Sequence, residues 1–426
     1  MSYLVRQPLS LLRMRLLYNI GIGIYTCGIS MAACCNHKAR LWRDGRKGLL
    51  CHIEERMSGI KGRKVWIHAA SLGEFEQARP IIERIKSEMP DTVIIVTFFS
   101  PSGYEIRKNY PLADFVFYLP PDTTSHARRF LDAIQPDVAI FIKYEFWLNY
   151  LNELRQRAIP TYLVSAIFRP TQIHFRPWGK IWRDALECYN TIFVQDKASE
   201  SLLRGVGYHR AIIAGDTRFD RVAEIARNAK HIPIIEFFAM GAPLFVAGST
   251  WGRDEDLLIE LINAHPDTRF VIAPHEMDES RMRRLEREIK GGAVRYTRSS
   301  PSSNFSGTQV MILDTIGLLS SAYSYARWSY IGGGFGVGIH NTLEAATFGL
   351  PIAFGPNYHK FREACDMIER GAATSITTAS ELLAWFAPIK EEGDALQRAS
   401  SSARDYTKEH CGATDTIMSV IFSSKD

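Results

Sequence analysis

"GGGFGVGIHNTLEAATFGLPIAFGP", Gly332 to Pro356, places five glycines in seven positions, then a His-Asn pair, then a helix-forming stretch carrying Glu344. Glycine admits positive φ and lets backbone N–H groups approach a ligand closely, and the first turn of a helix offers unpaired donors with a partial positive charge. An apolar run, a glycine turn and a helix start in that order suit an anion, most often a phosphate. They also suit a tight turn with no ligand. The run does not fit the dinucleotide fingerprint cleanly, because its two halves overlap and no ribose-binding acid is obvious about 20 residues further on.

Outward from this turn the chain repeats one pattern. "PLFVAGST", "RFVIAPHE", "VMILDT", "WSYIGGG" and "LPIAFGP" are short apolar runs, most of them closing in Gly, Ser, Thr, His or Asp. An earlier series begins at Lys64 with "KVWIHAA", "DTVIIVTFF", "DVAIFIKYEFW", "PTYLVSAIF" and "NTIFVQD", separated by helical candidates such as "GEFEQARPIIERIKSEMP". Strands alternating with helices predict parallel sheets covered on both faces. Two series in 426 residues predict two doubly wound domains, with the linker near residues 215–240 inside a polar helical stretch that ends near Phe238. Ligands of such sheets sit outside the carboxyl ends of the strands, and two facing domains make one cleft. The Ser-rich stretch Arg295 to Gly307 is expected to be an exposed loop.

Net charge is +5, a mild basic excess with no Lys/Arg run interleaved with aromatics, which suits an acidic small molecule or an anionic lipid surface better than nucleic acid. The seven cysteines are odd in number, with three in one apolar segment and no CxxC pair, so neither a disulfide framework nor a zinc site is indicated and a reducing compartment follows. "LLYNIGIGIYTCGISMAACCN", Leu16 to Asn36, carries no charge and lies between Arg13/Arg15 and Lys38/Arg40. It is expected to associate with a membrane, spanning it or lying in its interface; a cleaved signal peptide, for which the segment is long, and a buried first helix are the alternatives.

Several strand ends carry polar residues. Glu74 follows "HAASLG" at a helix start, where a carboxylate serves either as a general base or as a simple cap, and Ser71 and Gly73 in the same turn fit both readings. "IKYEFW" puts Lys143, Glu145 and Trp147 on one face by the period-2 rule, with Lys143 beside Glu145 as a rim ion pair or Glu145 buried with partners of its own. "GDTRFD" sets Arg218 between two acids, "AGST" ends in Ser249 and Thr250, and "APHE" holds His275; such groups suit a phosphate or a carboxylate.

Taken together, these segments resemble the 3-deoxy-D-manno-octulosonic acid (Kdo) transferases of lipopolysaccharide synthesis. "HAASLGEFEQARPII" is similar to the family's HAAS-[VL]-GE box, "YEFWLNYL" to its E-x-E-[LF]-W-PN segment, "GDTRFD" to GN-x-KFD, "AGSTW" to GST and "APHE" to PRHPER. "DTIGLLSSAYSYARWSYIGGGFGVGIHNTLEAATFGLPIAFGPNYHKF" resembles its DT-x-GEL…GGHN-LEP…GP…NF block. The chain departs from the pattern at Lys143 for the first acid of E-x-E, Leu318 for the glutamate of GEL, Arg218 for the lysine of KFD and Ile167 for the arginine of SAR.

The resemblance implies an α/β fold of the GT-B type, two Rossmann-like domains facing a central cleft behind an apolar amino-terminal helix. The expected division is 1–40 membrane-associated, 41–220 acceptor domain and 221–426 donor domain, with the last helix able to pack back on the first domain. It implies an inverting, metal-independent glycosyltransferase with no cofactor, moving Kdo from CMP-Kdo to the disaccharide lipid A precursor at the cytoplasmic face of the inner membrane. Glu74 is the implied base and Glu145 the second essential acid. Arg218, Ser249, Thr250, His275, Gly333, Gly334, Gly336, Gly338, His340, Asn341, Thr342 and Glu344 are donor-binding candidates; Ser71, Gly73, Lys143 and Arg169 are acceptor-side or carboxylate candidates. Three rivals remain: another GT-B transferase with a UDP sugar, a dinucleotide-dependent oxidoreductase using the glycine run, and a membrane-tethered binding protein that has lost activity.

Overall fold

The structure, a computed structural model, describes residues 9–423. The chain divides into two compact units, Met1–Arg221 with Gly412–Asp426, and Val222–Cys411.

The first unit is built on seven parallel strands: β1 (Lys64–Ala69), β2 (Val93–Phe98), β3 (Phe115–Tyr118), β4 (Val138–Ile142), β5 (Thr161–Ala166), β6 (Thr191–Val194) and β7 (Ala211–Ile213). Their spatial order is β3-β2-β1-β4-β5-β6-β7, so the winding reverses between β1 and β4. The central strands are buried along nearly their whole length, which is why they read as unbroken apolar runs rather than alternating ones. One face packs on Ile53, Phe130, Leu151 and Leu203. The other packs on the helix after β1 and on Ile417, Met418 and Ile421 of the carboxyl-terminal helix Ala413–Ile421.

Three helices precede the sheet: α1 (Leu9–Ala32), α2 (His37–Asp44) and α3 (Leu49–Met57). Polar bonds tie α1 to the unit: the Tyr18 hydroxyl donates to Asp122 at 2.7 Å, and Asn149 Nδ2 donates to Asn19 Oδ1 at 2.9 Å. Leu16, Leu17, Ile20, Ile24 and Met31 remain exposed along it. Among the described residues no helix is long and apolar enough to cross a membrane.

The second unit repeats the design with β8 (Leu244–Thr250), β9 (Arg269–Pro274), β10 (Ala293–Arg295), β11 (Val310–Ile312), β12 (Ala326–Ile331), β13 (Ile352–Phe354) and β14 (Ala373–Ser375), in the order β10-β11-β9-β8-β12-β13-β14. All pairs are parallel and the reversal falls between β8 and β12. The polar stretch read as one helix is two, Thr217–Arg227 and Pro233–Ala239, because a proline that starts a helix well ends the one before it. The seven cysteines are free, and among the described residues no group of three or more His, Cys, Asp or Glu is placed to hold a metal ion.

Candidate active site

In doubly wound sheets the crevice at the reversal of strand order is where loops diverge and leave room for a ligand. Each unit has such a point, and the sequence candidates gather at both.

In the first unit, β1 runs into the helix α4 (Leu72–Glu88). Ser71 is its N-cap and Glu74 its third residue, and the two form a capping box: the Ser71 backbone N–H and hydroxyl both donate to Glu74 Oε2, at 2.8 and 3.0 Å. Glu74 is therefore a cap, and its other carboxylate oxygen is left over. Burial, and then the charge of Glu145, push its pKa above the usual carboxylate range, despite the bonds from Ser71. Gly73 is exposed in the same turn, with nothing near where a Cβ would stand.

Glu145 follows β4 and is 6 % exposed. Its Oε2 takes His68 Nε2 at 3.2 Å and the Trp147 indole N–H, while the Tyr189 hydroxyl donates to its carbonyl. His68 is fully buried in β1, its Nδ1 2.8 Å from Thr97 Oγ1 of β2. Lys143 does not share this face: its φ of 74° puts it in the left-handed region and breaks the period-2 pattern, and its ammonium lies 5.5 Å from the Tyr144 ring. Lys143 and Glu145 are not an ion pair; Glu145 is the buried acid with partners of its own. His68 was not among the sequence candidates, although a histidine inside an otherwise apolar run was its visible signal.

Arg218 belongs to the first unit. Its guanidinium grips Asp216 at 2.8 Å, and Gln77 of α4 donates to the same carboxylate, which this holds below its ordinary range. Arg169 is exposed on the loop after β5, its N–H bonded to Gln172.

In the second unit the register slips between Gly248 and Thr250, a bulge that sets Ser249 at φ 53°. Thr250 turns inward, fully buried, with its hydroxyl donating to Glu255 at 3.1 Å; Ser249 is only partly covered. The glycine run has two halves. A Cβ on Gly332 would meet the Thr250 Cα at 2.6 Å, one on Gly334 would meet Gly355 at 2.6 Å, and the Gly333 N–H donates to the buried Asp254. These three permit close packing of backbones. Gly336 is exposed and Gly338 partly so, and a Cβ on Gly336 would meet only the Gly333 carbonyl, at 3.6 Å. Among the described residues the N–H groups of Phe335, Val337 and Gly338 are left without a protein acceptor.

The stretch after the run is a single turn, Leu343–Ala346, rather than a full helix. His340 lies against His275, ring centroids 4.3 Å apart, and accepts from the Trp251 indole at 3.1 Å; burial, and then His275, lower its pKa to about 4 and keep it neutral. Asn341 Nδ2 donates to Glu344, which also accepts from Ser320 at 2.6 Å. Thr342 is buried with no partner for its hydroxyl.

Residues 49–221 match the family model described as 3-Deoxy-D-manno-octulosonic-acid transferase (kdotransferase). The chain is 27 % identical over 371 residues to the 3-deoxy-D-manno-octulosonic acid transferase of Bordetella pertussis, covering 82 % of this chain and 85 % of that one. It is 24 % identical to that of Haemophilus influenzae, covering 84 % and 86 %. Among solved structures it resembles the UDP-GlcNAc 2-epimerase of Neisseria meningitidis, with TM-score 0.59, 13 % identity and coverage of 85 % of this chain and all of that one. It also resembles MurG of Acinetobacter baumannii, with TM-score 0.53, 12 % identity and coverage of 85 % and 100 %. The structural likenesses establish the GT-B-type fold of two parallel sheets. With that fold, with the strand-end boxes in register and with relatives matched over about four fifths of its length, the chain is similar to the 3-deoxy-D-manno-octulosonic-acid (Kdo) transferases, which are glycosyltransferases.

Proposed function

We propose that the chain moves Kdo from CMP-Kdo to a hydroxyl of the disaccharide lipid A precursor, with release of CMP and inversion at the anomeric carbon. One observation carries this reading: Glu74 stands at the reversal of the first sheet with a pKa raised by burial and by Glu145, a carboxylate made more basic where an acceptor would bind. The acceptor hydroxyl gives its proton to Glu74 as its oxygen bonds to the anomeric carbon. The bond from that carbon to the CMP phosphate breaks, and the electron pair leaves with the phosphate. Attack from the face opposite the leaving group inverts the centre.

The free N–H groups of residues 335, 337 and 338, with Ser249 and His275, suit the leaving phosphate, and donors of this kind stabilise its charge without a metal. Glu344 and Asn341 suit the ribose hydroxyls. Lys143, Arg169 and Arg218 are cations for the Kdo carboxylate on the first unit. Glu145, fixed by His68 and Trp147, holds the loop after β4 and raises the basicity of Glu74. The exposed apolar side chains of α1 suit association with the cytoplasmic face of the inner membrane, where the acceptor resides.

The test is incubation with CMP-Kdo generated in situ and lipid A precursor, followed by mass spectrometry of the lipid. Wild type is expected to add the mass of Kdo and Glu74→Ala to add none, while both bind CMP. Competition by UDP rather than CMP, or addition undiminished in Glu74→Ala, overturns the assignment.

A further inference from the structure

Beneath α1 the first unit holds an apolar crevice in two parts, of about 220 and 350 Å³, which share the walls Tyr25, Trp42 and Phe99. Ile22 and Thr26 of α1 and Trp147 complete the inner part. Its polar groups are already committed: the Thr26 hydroxyl donates to the Ile22 carbonyl, and Asp122 accepts from Tyr18, Asn149 and Tyr150. Two groups are exceptions: the indole N–H of Trp42, a 5 % exposed side chain, is buried without a partner, and the hydroxyl of the exposed Tyr25 has no partner among the described residues. At the rim of the outer part stands Lys38, exposed, with no acid paired to it among the described residues. Trp147 packs on Phe99 with ring centroids 4.9 Å apart and donates its N–H to Glu145. One indole is therefore the wall of the crevice on one side and the clamp on the candidate-site carboxylate on the other.

We propose that this crevice takes one acyl chain of the acceptor, with Lys38 at its mouth meeting an anionic group of the same molecule. The inference rests on the reading of the first unit as the acceptor-binding half. A hydrocarbon chain fits what the lining offers. A peptide would bring backbone polar groups that these walls cannot satisfy, whereas a chain brings none, and a lysine at the lip of an apolar slot complements a phosphorylated amphiphile. The continuity through Trp147 makes the crevice part of acceptor recognition: a chain lodged against Phe99 and Trp147 holds the sugar to which it is attached beside the loop that carries Glu145.

The test uses the full-length protein and alkyl phosphates from hexyl to decyl, each below its critical micelle concentration, with binding measured by equilibrium dialysis. Affinity is expected to rise about fourfold per methylene until the slot is filled, the value of burying one CH₂. A terminally brominated decyl phosphate is expected to quench tryptophan fluorescence in wild type. Ile22→Trp and Thr26→Phe, which fill the inner part from α1, are expected to weaken decyl phosphate at least tenfold and to raise KM for acylated acceptor at least tenfold, while CMP affinity and transfer to a deacylated, water-soluble acceptor stay as in wild type. Lys38→Gln is expected to weaken every alkyl phosphate by the same factor. Affinity independent of chain length, as for unspecific adsorption along α1, or unchanged in both filled variants, overturns the proposal. A wild-type enzyme that transfers Kdo to neither acceptor while the chain-length series holds would count against the proposed reaction and leave the crevice standing.

Discussion

Alanine at Gly332 and at Gly336 should have opposite consequences, although both glycines lie in one run. At Gly332 the new methyl would stand 2.6 Å from the Thr250 Cα and crowd the Ser249 carbonyl, about 1 Å inside an ordinary carbon contact of roughly 3.5–4 Å. Both obstacles are backbone, so neither can swing aside, and overpacking of this kind costs about 3 kcal/mol at the upper end of its usual range. For a unit of this size each kcal/mol lowers the midpoint by about 2–4 °C, so the second unit should melt roughly 6–12 °C early. At Gly336 the nearest atom to a Cβ is the Gly333 carbonyl at 3.6 Å, so the stability change should stay within about 0.5 kcal/mol. If the free N–H groups on either side of Gly336 receive the phosphate, however, a methyl between them blocks the approach, and CMP affinity should fall about tenfold or more, equivalent to ~1.4 kcal/mol. Calorimetry supplies both readings on the same samples. A Gly336→Ala protein that binds CMP as tightly as wild type would refute the assignment of this loop as the anion seat, and one that melts as early as Gly332→Ala would refute the division of the run into packing and ligand halves.

Other consequences follow from the charged groups. Glu74→Gln should lower kcat about 10²–10⁴-fold with CMP binding intact. Because the Glu74 pKa is raised and a base works only when deprotonated, wild-type kcat should climb with pH through that raised value, and Glu145→Gln should move the limb to lower pH by less than the whole shift, since burial is the larger cause. His340 has a folded pKa of about 4, below that of the unfolded chain, so the unfolded state takes up the proton first and the second unit should lose stability as pH falls from about 6.5 toward 4; unfolding curves at pH 7 and 5 should converge in His340→Gln. Asp122→Ala strips the acceptor from Tyr18, Asn149 and Tyr150, which should cost on the order of 3 kcal/mol and expose α1 to limited proteolysis before the rest of the first unit.

The central strands were legible in the sequence because burial on both faces leaves them few polar positions: β1, β2, β4, β5, β6, β8, β9, β11, β12 and β13 all fall within the apolar runs. The four strands not read, β3, β7, β10 and β14, are the four sheet edges. Three of them span only three residues, too short for any period to show. At the site, Glu74 and the glycine run were visible by position and residue type. What could not be read was commitment. Thr250 and Ser249 look alike in the sequence, and a bulge decides which of them turns inward; Lys143 and Glu145 obey the period-2 rule until one left-handed residue interrupts it. His68 and Asp254 act through contacts with strands and loops far along the chain, which no local pattern encodes.

The helix Ala413–Ile421 belongs to the first unit, where Asp220 accepts from the backbone N–H groups of Gly412 and Thr414 and where Ile417, Met418 and Ile421 close one face of the core. On the ribosome this helix emerges only after the intervening second unit has been made, roughly 190 residues later. At about 5–20 residues per second, the face of the first sheet that it covers stays open for on the order of 10 to 40 s. During that interval a nascent chain has its strands and α4 in place while the part of this core that Ile417, Met418 and Ile421 close is still uncovered.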